Sequence, residues 1–139
     1  MPKQKKSESE KLSEVIIEGI LKKKGREVLR MELKKLPNAV SDYFVICHAN
    51  SGTQVKAIAE SVEEETLKEL KAKPWHKEGI ENAEWILIDY VNVVVHIFRE
   101  ESRTFYNLEK LWGDAPVKEF SDNLQTTDSG QKLQEKSRT

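Results

Sequence analysis

Glu84-Trp85-Ile86-Leu87-Ile88-Asp89-Tyr90-Val91-Asn92-Val93-Val94-Val95-His96-Ile97-Phe98 is the stretch whose reading decides the fold. Two runs rich in β-branched and aromatic residues, Glu84 to Asp89 and Asn92 to Phe98, flank a short break, which predicts an antiparallel hairpin. With Tyr90 and Val91 as a two-residue turn, Asp89 faces Asn92, Leu87 faces Val94 and Trp85 faces His96. The opposite face then carries Ile86, Ile88, Val93, Val95 and Ile97, a purely aliphatic set that belongs against helices. The first face is mixed, and two readings fit it. Either Trp85 packs under a loop with His96 as a satisfied core histidine, or the face is an open docking surface with Trp85 as its anchor and polar residues fixing orientation. A different turn length changes the register on which the pairing rests.

Working outward, Tyr43 to Cys47 is a continuous apolar run bounded by polar residues, as expected of a central strand covered on both faces. Val28 to Leu33 alternates and reads as a half-exposed strand. A first helix is predicted from about Ser9 to Lys24, with Leu12, Val15, Ile16, Gly19 and Ile20 on one stripe. Ser51, with Gln54 three residues on, reads as the capping box of a second helix. Its buried stripe is Val55, Ile58, Ala59, Val62, Thr66, Leu67 and Leu70, with Glu63, Glu64 and Glu65 on or beside the outer face. Pro74 ends that helix and Trp75 to Glu81 follows as a connecting loop. A third helix covers about Ser102 to Trp112, packing through Phe105, Leu108, Leu111 and Trp112, and Gly113 stops it. The order is α-β-β-α-β-β-α, an α/β (α+β) class with a single mixed sheet of four to five strands packed with helices. Residues 1–8 are expected to form a flexible arm, 9–116 the folded domain, and 117–139, poor in apolar residues, a disordered tail.

Composition narrows the function. The formal net charge of −1 argues against a protein that grips nucleic acid chiefly through phosphates, so little direct nucleic-acid binding is expected. The single cysteine, Cys47, lies in the apolar strand and reads as an inert buried thiol. His48, His76 and His96 lack metal-ligand spacing. Asp42 and Asp89 fall near strand ends, but no strand carries the close carboxylate pair that a nucleotide-transferring site would use to hold a metal ion. No phosphate-binding glycine loop is present, and Asn50-Ser51-Gly52-Thr53 is explained by helix capping. The expectation is a soluble chain that binds another macromolecule, with no catalytic set, cofactor or metal. No apolar run approaches the ~20 residues of a membrane span, and the polar start lacks the apolar core of a signal peptide.

Two stretches resemble a known family. Ser41-Asp42-Tyr43-Phe44-Val45-Ile46, then Asn50-Ser51 and Gln54-Val55 with Ala57-Ile58-Ala59, is similar to the first signature of the ribosomal silencing factor S family, also called Iojap-related proteins. Ala83 to Tyr90, Val93 to Phe98, Glu101-Ser102-Arg103 and Phe105-Tyr106 with Leu108 to Gly113 resemble its second. The resemblance covers about residues 10–116. It implies a fold similar to nucleotidyltransferases without their catalytic carboxylates. It further implies binding to the large ribosomal subunit through its protein L-fourteen, which blocks joining to the small subunit, and a homodimer when free. Organelle relatives exist, but with no transit peptide in view a bacterial cytoplasm is expected. Trp85, Leu87, Asp89, Tyr90, Asn92 and His96 are then the candidate partner-binding residues, with Asp89 pairing a cation of the basic partner. Glu100, Glu101 and Glu109 would repel small-subunit RNA. Alternatives are a large-subunit assembly factor and a diverged nucleotidyltransferase-like enzyme. The chain departs from the family pattern at Val91 and Asn50, where glycine is common; Asn tolerates left-handed backbone, whereas a β-branched residue resists it.

Overall fold

The apolar run at Tyr43 lies at the middle of the sheet, as its composition demands. In a computed structural model, which describes residues 6–121, every residue of β2 (Tyr43–Ala49) is buried. On one side β2 pairs parallel with β5 (Val93–Arg99), Val45 opposite Val95 and Cys47 opposite Ile97. On the other it pairs antiparallel with β1 (Arg26–Glu32), Met31 opposite Phe44. β4 (Trp85–Asp89) joins β5 as the predicted hairpin, with β3 (His76–Glu78) outside it, and β6 (Val117–Phe120) closes the far edge against β1. The mixed sheet runs β3-β4-β5-β2-β1-β6.

The mixed α/β architecture agrees with expectation, but the sheet has six strands, not four or five. Both additions are short edge strands. β3 lies in the supposed loop after Pro74, and β6 takes the first four residues of the supposed tail, so the folded unit reaches Phe120. Residues 122–139 of that tail, like residues 1–5 of the supposed arm, lie outside the described residues. Edge strands pair on one side only and carry little apolar signal of their own.

One face of the sheet is covered by α1 (Glu8–Lys22) and α2 (Gly52–Leu70). Ser7 and Ser51 cap them, each hydroxyl accepting from the backbone N–H three residues on. Gln54 does not complete the expected box; its amide reaches across to the carbonyls of Lys23 and Lys24 at the end of α1. The buried layer joins Ile16 and Ile20 of α1 to Val55, Ile58 and Val62 of α2 over Val45, Cys47, Ile86, Ile88, Val95 and Ile97. Leu67 and Leu70, predicted for this stripe, are exposed, while Glu65, predicted outside, is buried and paired with Lys22 and Lys68. The second helix therefore leaves the sheet a turn early, at a left-handed stop on Lys71.

The opposite face holds a second cluster of Leu29, Met31, Leu33, Phe44, Ile46, Val94 and Phe98, capped by Leu108, Ala115 and the flank of Trp112. The third helix is broken. Asn107 takes a left-handed conformation (φ 49°) and separates α3 (Glu100–Tyr106) from α4 (Leu108–Leu111). The break turns Leu108 inward and leaves Phe105 and Leu111, both expected to pack, 79% and 71% exposed. Arg103 anchors this element from a buried position, donating to the Glu27 carbonyl (2.8 Å), His48 Nδ1 (2.9 Å) and the Glu109 carboxylate (3.0 and 3.1 Å).

The closest approach of α1 and α2 is at Gly19. A Cβ there would lie 2.9 Å from Val62 Cα and 3.0 Å from the Ser61 carbonyl, and Ser61 Oγ already donates to the Gly19 carbonyl at 2.7 Å. Both obstacles are backbone, so a side chain forces the helices apart. Gly19→Val is expected to destabilise the fold by about 1–3 kcal/mol in urea denaturation. Glu18→Val, one residue away on the exposed face, is expected to stay within about 0.5 kcal/mol of the parent.

Candidate functional site

The hairpin turns one residue later than its sequence suggests. Val91 and Asn92 form the bend, closed by Tyr90 N–H to Val93 O at 2.9 Å, with Asn92 N–H to Tyr90 O at 3.0 Å inside it. Val91 adopts φ 78°, and Asp89 Oδ1 accepts its N–H at 2.7 Å. The predicted pairs are therefore corrected to Trp85 with Phe98, Leu87 with His96 and Asp89 with Val94. The slip is by two residues, which preserves side-chain parity. Trp85, Leu87, Asp89, Val94 and His96 still share one face, while Ile86, Ile88, Val93, Val95 and Ile97 still meet the helices.

Two predicted contacts do not belong to this face. Tyr90 points to the helix side, is buried, and shares a 2.8 Å hydrogen bond with Thr66. Burial there pushes its phenol up to about 12. Asn92 borders a separate depression with Lys11, Leu70 and Tyr90. Both shifts follow from the later turn, which leaves Tyr90 just past the end of β4 and, like Ile88, on the helix side.

The four remaining candidates have distinct surroundings. Trp85 is half-buried, its ring tilted against Phe98 (4.9 Å between centroids) and Tyr106 (4.6 Å), and its indole N–H donates to His96 Nδ1 at 3.1 Å. Its ring packs against neighbours while part of it stays exposed. His96 is 4% exposed. An Nδ1 that accepts fixes the neutral tautomer with hydrogen on Nε2. Burial pushes the imidazole down to about 3. Nε2 finds no hydrogen-bond acceptor among the described residues, so His96 is not the fully satisfied core histidine. Leu87 and Asp89 are half-exposed.

Together Leu87, Asp89 and His96 line a shallow apolar groove with Val40, Phe44, Trp75, Val91 and Val94. Its rim is three exposed apolar side chains from three separate loops, Trp75 at 72%, Val40 at 65% and Val91 at 61%. Sequence reading missed this rim. The one signal for Trp75 was an isolated tryptophan in a polar stretch; its backbone N–H, donating to the Asp89 carbonyl at 2.7 Å, sets it beside the groove. Val91 is the sharper clue, because a β-branched residue at positive φ is strained, and such strain clusters at functional positions.

The other reactive side chains lie elsewhere. Cys47 is buried and its thiol is pushed up to about 12. His48 serves the Arg103 anchor, and burial with the nearby guanidinium holds its pKa below the usual value. His76 pairs with Glu78 on the edge strand. Among the described residues no three His, Cys, Asp or Glu side chains converge as metal ligands, and no helix is long and apolar enough to cross a membrane.

A buried neutral histidine makes stability depend on pH. The unfolded imidazole takes up its proton near pH 6.5, whereas folded His96 does so near 3. Its contribution is complete above about pH 6.5 and is lost as pH falls through that value toward 3. Between pH 6.5 and 5, where carboxylates scarcely titrate, unfolding free energy is expected to fall by up to about 1.4 kcal/mol per pH unit for each such histidine. His96→Asn is expected to flatten that slope, as read from urea melts across the window.

Comparison with known proteins agrees with the sequence resemblance. The family described as "Ribosomal silencing factor during starvation" matches residues 6–139. A ribosomal silencing factor of Halalkalibacterium halodurans is 41% identical over 112 residues, covering 81% of this chain and 94% of the relative. A solved protein from Chromobacterium violaceum superposes with a TM-score of 0.71 at 34% identity, covering 77% of this chain and 88% of the other. The mouse protein named "Mitochondrial assembly of ribosomal large subunit protein 1" is 35% identical over 87 residues, covering 60% of this chain and 36% of the relative. With the same signatures, the same mixed sheet and a family match across nearly its whole length, this chain belongs to the ribosomal silencing factor family.

Proposed function

We propose that this protein represses translation by binding the large ribosomal subunit at its protein L-fourteen, through the groove face, and excluding the small subunit by its bulk. Family membership supports the silencing role. The observation that supports this face is the rim of Trp75, Val40 and Val91, three large apolar side chains held in water around a half-covered floor. A soluble domain gains nothing from such an arrangement unless a partner covers it. Asp89, at the lip, offers a carboxylate to a lysine or arginine of a basic ribosomal protein. The family name, a silencing factor, favours a regulator over the enzyme reading. An assembly factor would use the same face, but would prefer immature particles to mature ones.

The mechanism divides binding from exclusion. Trp75 and Leu87 dock, Trp85 supports the floor, and the far side of the domain meets the small subunit. Of the three glutamates first expected to repel that subunit's RNA, Glu109 is withdrawn by its pairing with Arg103. Glu100 and Glu101 stay exposed at the start of α3 and carry this role.

Co-sedimentation with separated large subunits, small subunits and joined ribosomes, followed by a subunit-rejoining assay, tests the reading. Wild-type protein is expected on large subunits alone and to block rejoining; sedimentation with neither subunit would sink the proposal. Trp75→Ala is expected to melt like the parent yet bind about 2 kcal/mol more weakly, roughly thirtyfold. Trp85→Ala is expected to lose fold stability as well, below the ~3–5 kcal/mol of a fully buried aromatic. Separately, Glu100→Gln with Glu101→Gln is expected to relieve the rejoining block at saturation without changing large-subunit affinity. An equal loss of both would assign these residues to docking instead.

A further inference from the structure

We infer that the partner seats a neutral hydrogen-bond acceptor, a backbone or side-chain carbonyl, on the Nε2–H of His96 at the floor of the groove. This rests on the docking reading above. The imidazole lies in the groove wall beside its cross-strand neighbour Leu87, the diagonal Phe44 of β2, and Val94 two residues along its own strand. Trp85 occupies Nδ1 from one end of the face. Nε2 is diagonally across the ring from Nδ1, and the groove extends from the ring toward Phe44, Val94 and Asp89, away from Trp85.

This nitrogen is buried and lacks an acceptor among the described residues. Phe44 meets the imidazole in a T-shaped contact with centroids 4.5 Å apart, and an aromatic ring is at most a weak acceptor that leaves the donor available. Because the imidazole is neutral, Nε2 is an obligate donor, not a site that changes role with the partner. Nε2 has almost no exposed surface, and the half-exposed Leu87 is the neighbouring side chain of the groove beside it.

The surroundings select the acceptor's charge. Asp89 is the acidic side chain lining the groove, and the remaining wall is apolar apart from His96 and the Trp75 indole N–H. A carboxylate or phosphate would meet both Asp89 repulsion and desolvation without a cation to balance it. A carbonyl has neither cost. A lysine or arginine one or two residues from it would reach Asp89. The recognised element is therefore a protein segment with a carbonyl pointing inward, apolar side chains over Val40 and Trp75, and a basic residue at the Asp89 lip. Nucleic acid, which would present phosphate, fits poorly.

Two substitutions separate the ring nitrogens. His96→Asn keeps an acceptor for Trp85 near Nδ1 and removes the donor at Nε2. His96→Gln places an amide N–H near Nε2 and gives up the acceptor. Large-subunit affinity is measured for both in the full chain, beside their melting temperatures. His96→Asn is expected to bind about tenfold more weakly than wild type, with His96→Gln recovering most of that loss. Equal binding by the two variants, or tighter binding by His96→Asn, overturns the inference while leaving the docking reading intact. Failure of wild-type protein to sediment with large subunits removes that reading and the inference together. If a variant does not fold, the wild-type chain decides by NMR. On adding purified protein L-fourteen, the His96 Nε2–H resonance is expected to move downfield and exchange more slowly; an unmoved resonance overturns the inference.

Discussion

Parallel pairing of β2 with β5 buries every residue of the first strand and all but Arg99 of the second. Two strands running the same way cannot be joined by a tight turn, so the chain must cross over between them, and α2 makes that crossing. α2 in turn needs a partner to complete its layer, and α1 packs beside it at the glycine contact. With one face closed by these two helices, the other is left to shorter elements: the loop after Leu33, α3, α4 and the approach to β6. Tyr106 of α3 reaches Trp85 at the start of β4, but the cover stops short of residues 87–89 at its other end. The groove is the unfinished end of that second layer.

What distinguishes this end is the mixture of apolar exposure with one unsatisfied polar atom. A core seldom leaves a buried donor without an acceptor, because desolvation of that group is not recovered. Here the donor belongs to a histidine whose other nitrogen is fixed by Trp85, so the ring cannot turn to relieve it without breaking that bond. Trp85 thereby sets the tautomer and the aim of His96. The exposed apolar side chain here is Trp75, immediately before the edge strand, whose backbone N–H donates to the Asp89 carbonyl of β4. Strain at Val91 belongs to the same arrangement. A glycine would relax the turn, and the valine instead supplies apolar surface at the rim.

Arg103 serves the opposite end. By tying Glu27, His48 and Glu109 together it holds α3 across the β1 and β2 ends, and the left-handed Asn107 then redirects the chain into α4. This explains why an apparently continuous amphipathic segment from Ser102 to Trp112 does not form one helix. Its pattern suits a helix, but the buried guanidinium and Leu108 cannot both face the sheet without the break. Phe105 and Leu111 lose their expected cover as a result.

By itself the sequence determined what depends on local period and composition. The central strand was legible in an unbroken apolar run, the two long helices in their caps and stripes, and the hairpin faces in their parity. Parity survived the misplaced turn, because a two-residue slip returns every side chain to the same side. Four of the six candidate contacts therefore stayed together, and Tyr90 and Asn92 left because they flank or form the bend, where the later turn changes their orientation. The family signatures were legible as well, being strings of residues. Tertiary structure alone decided the edges and the rim. β3 and β6 exist only because a neighbour supplies their hydrogen bonds, and Trp75, Val40 and Val91 converge only once three loops distant in sequence are drawn to one end of the sheet. Periodicity records which side of an element is apolar; it cannot record whether anything covers it, since that depends on where other elements end.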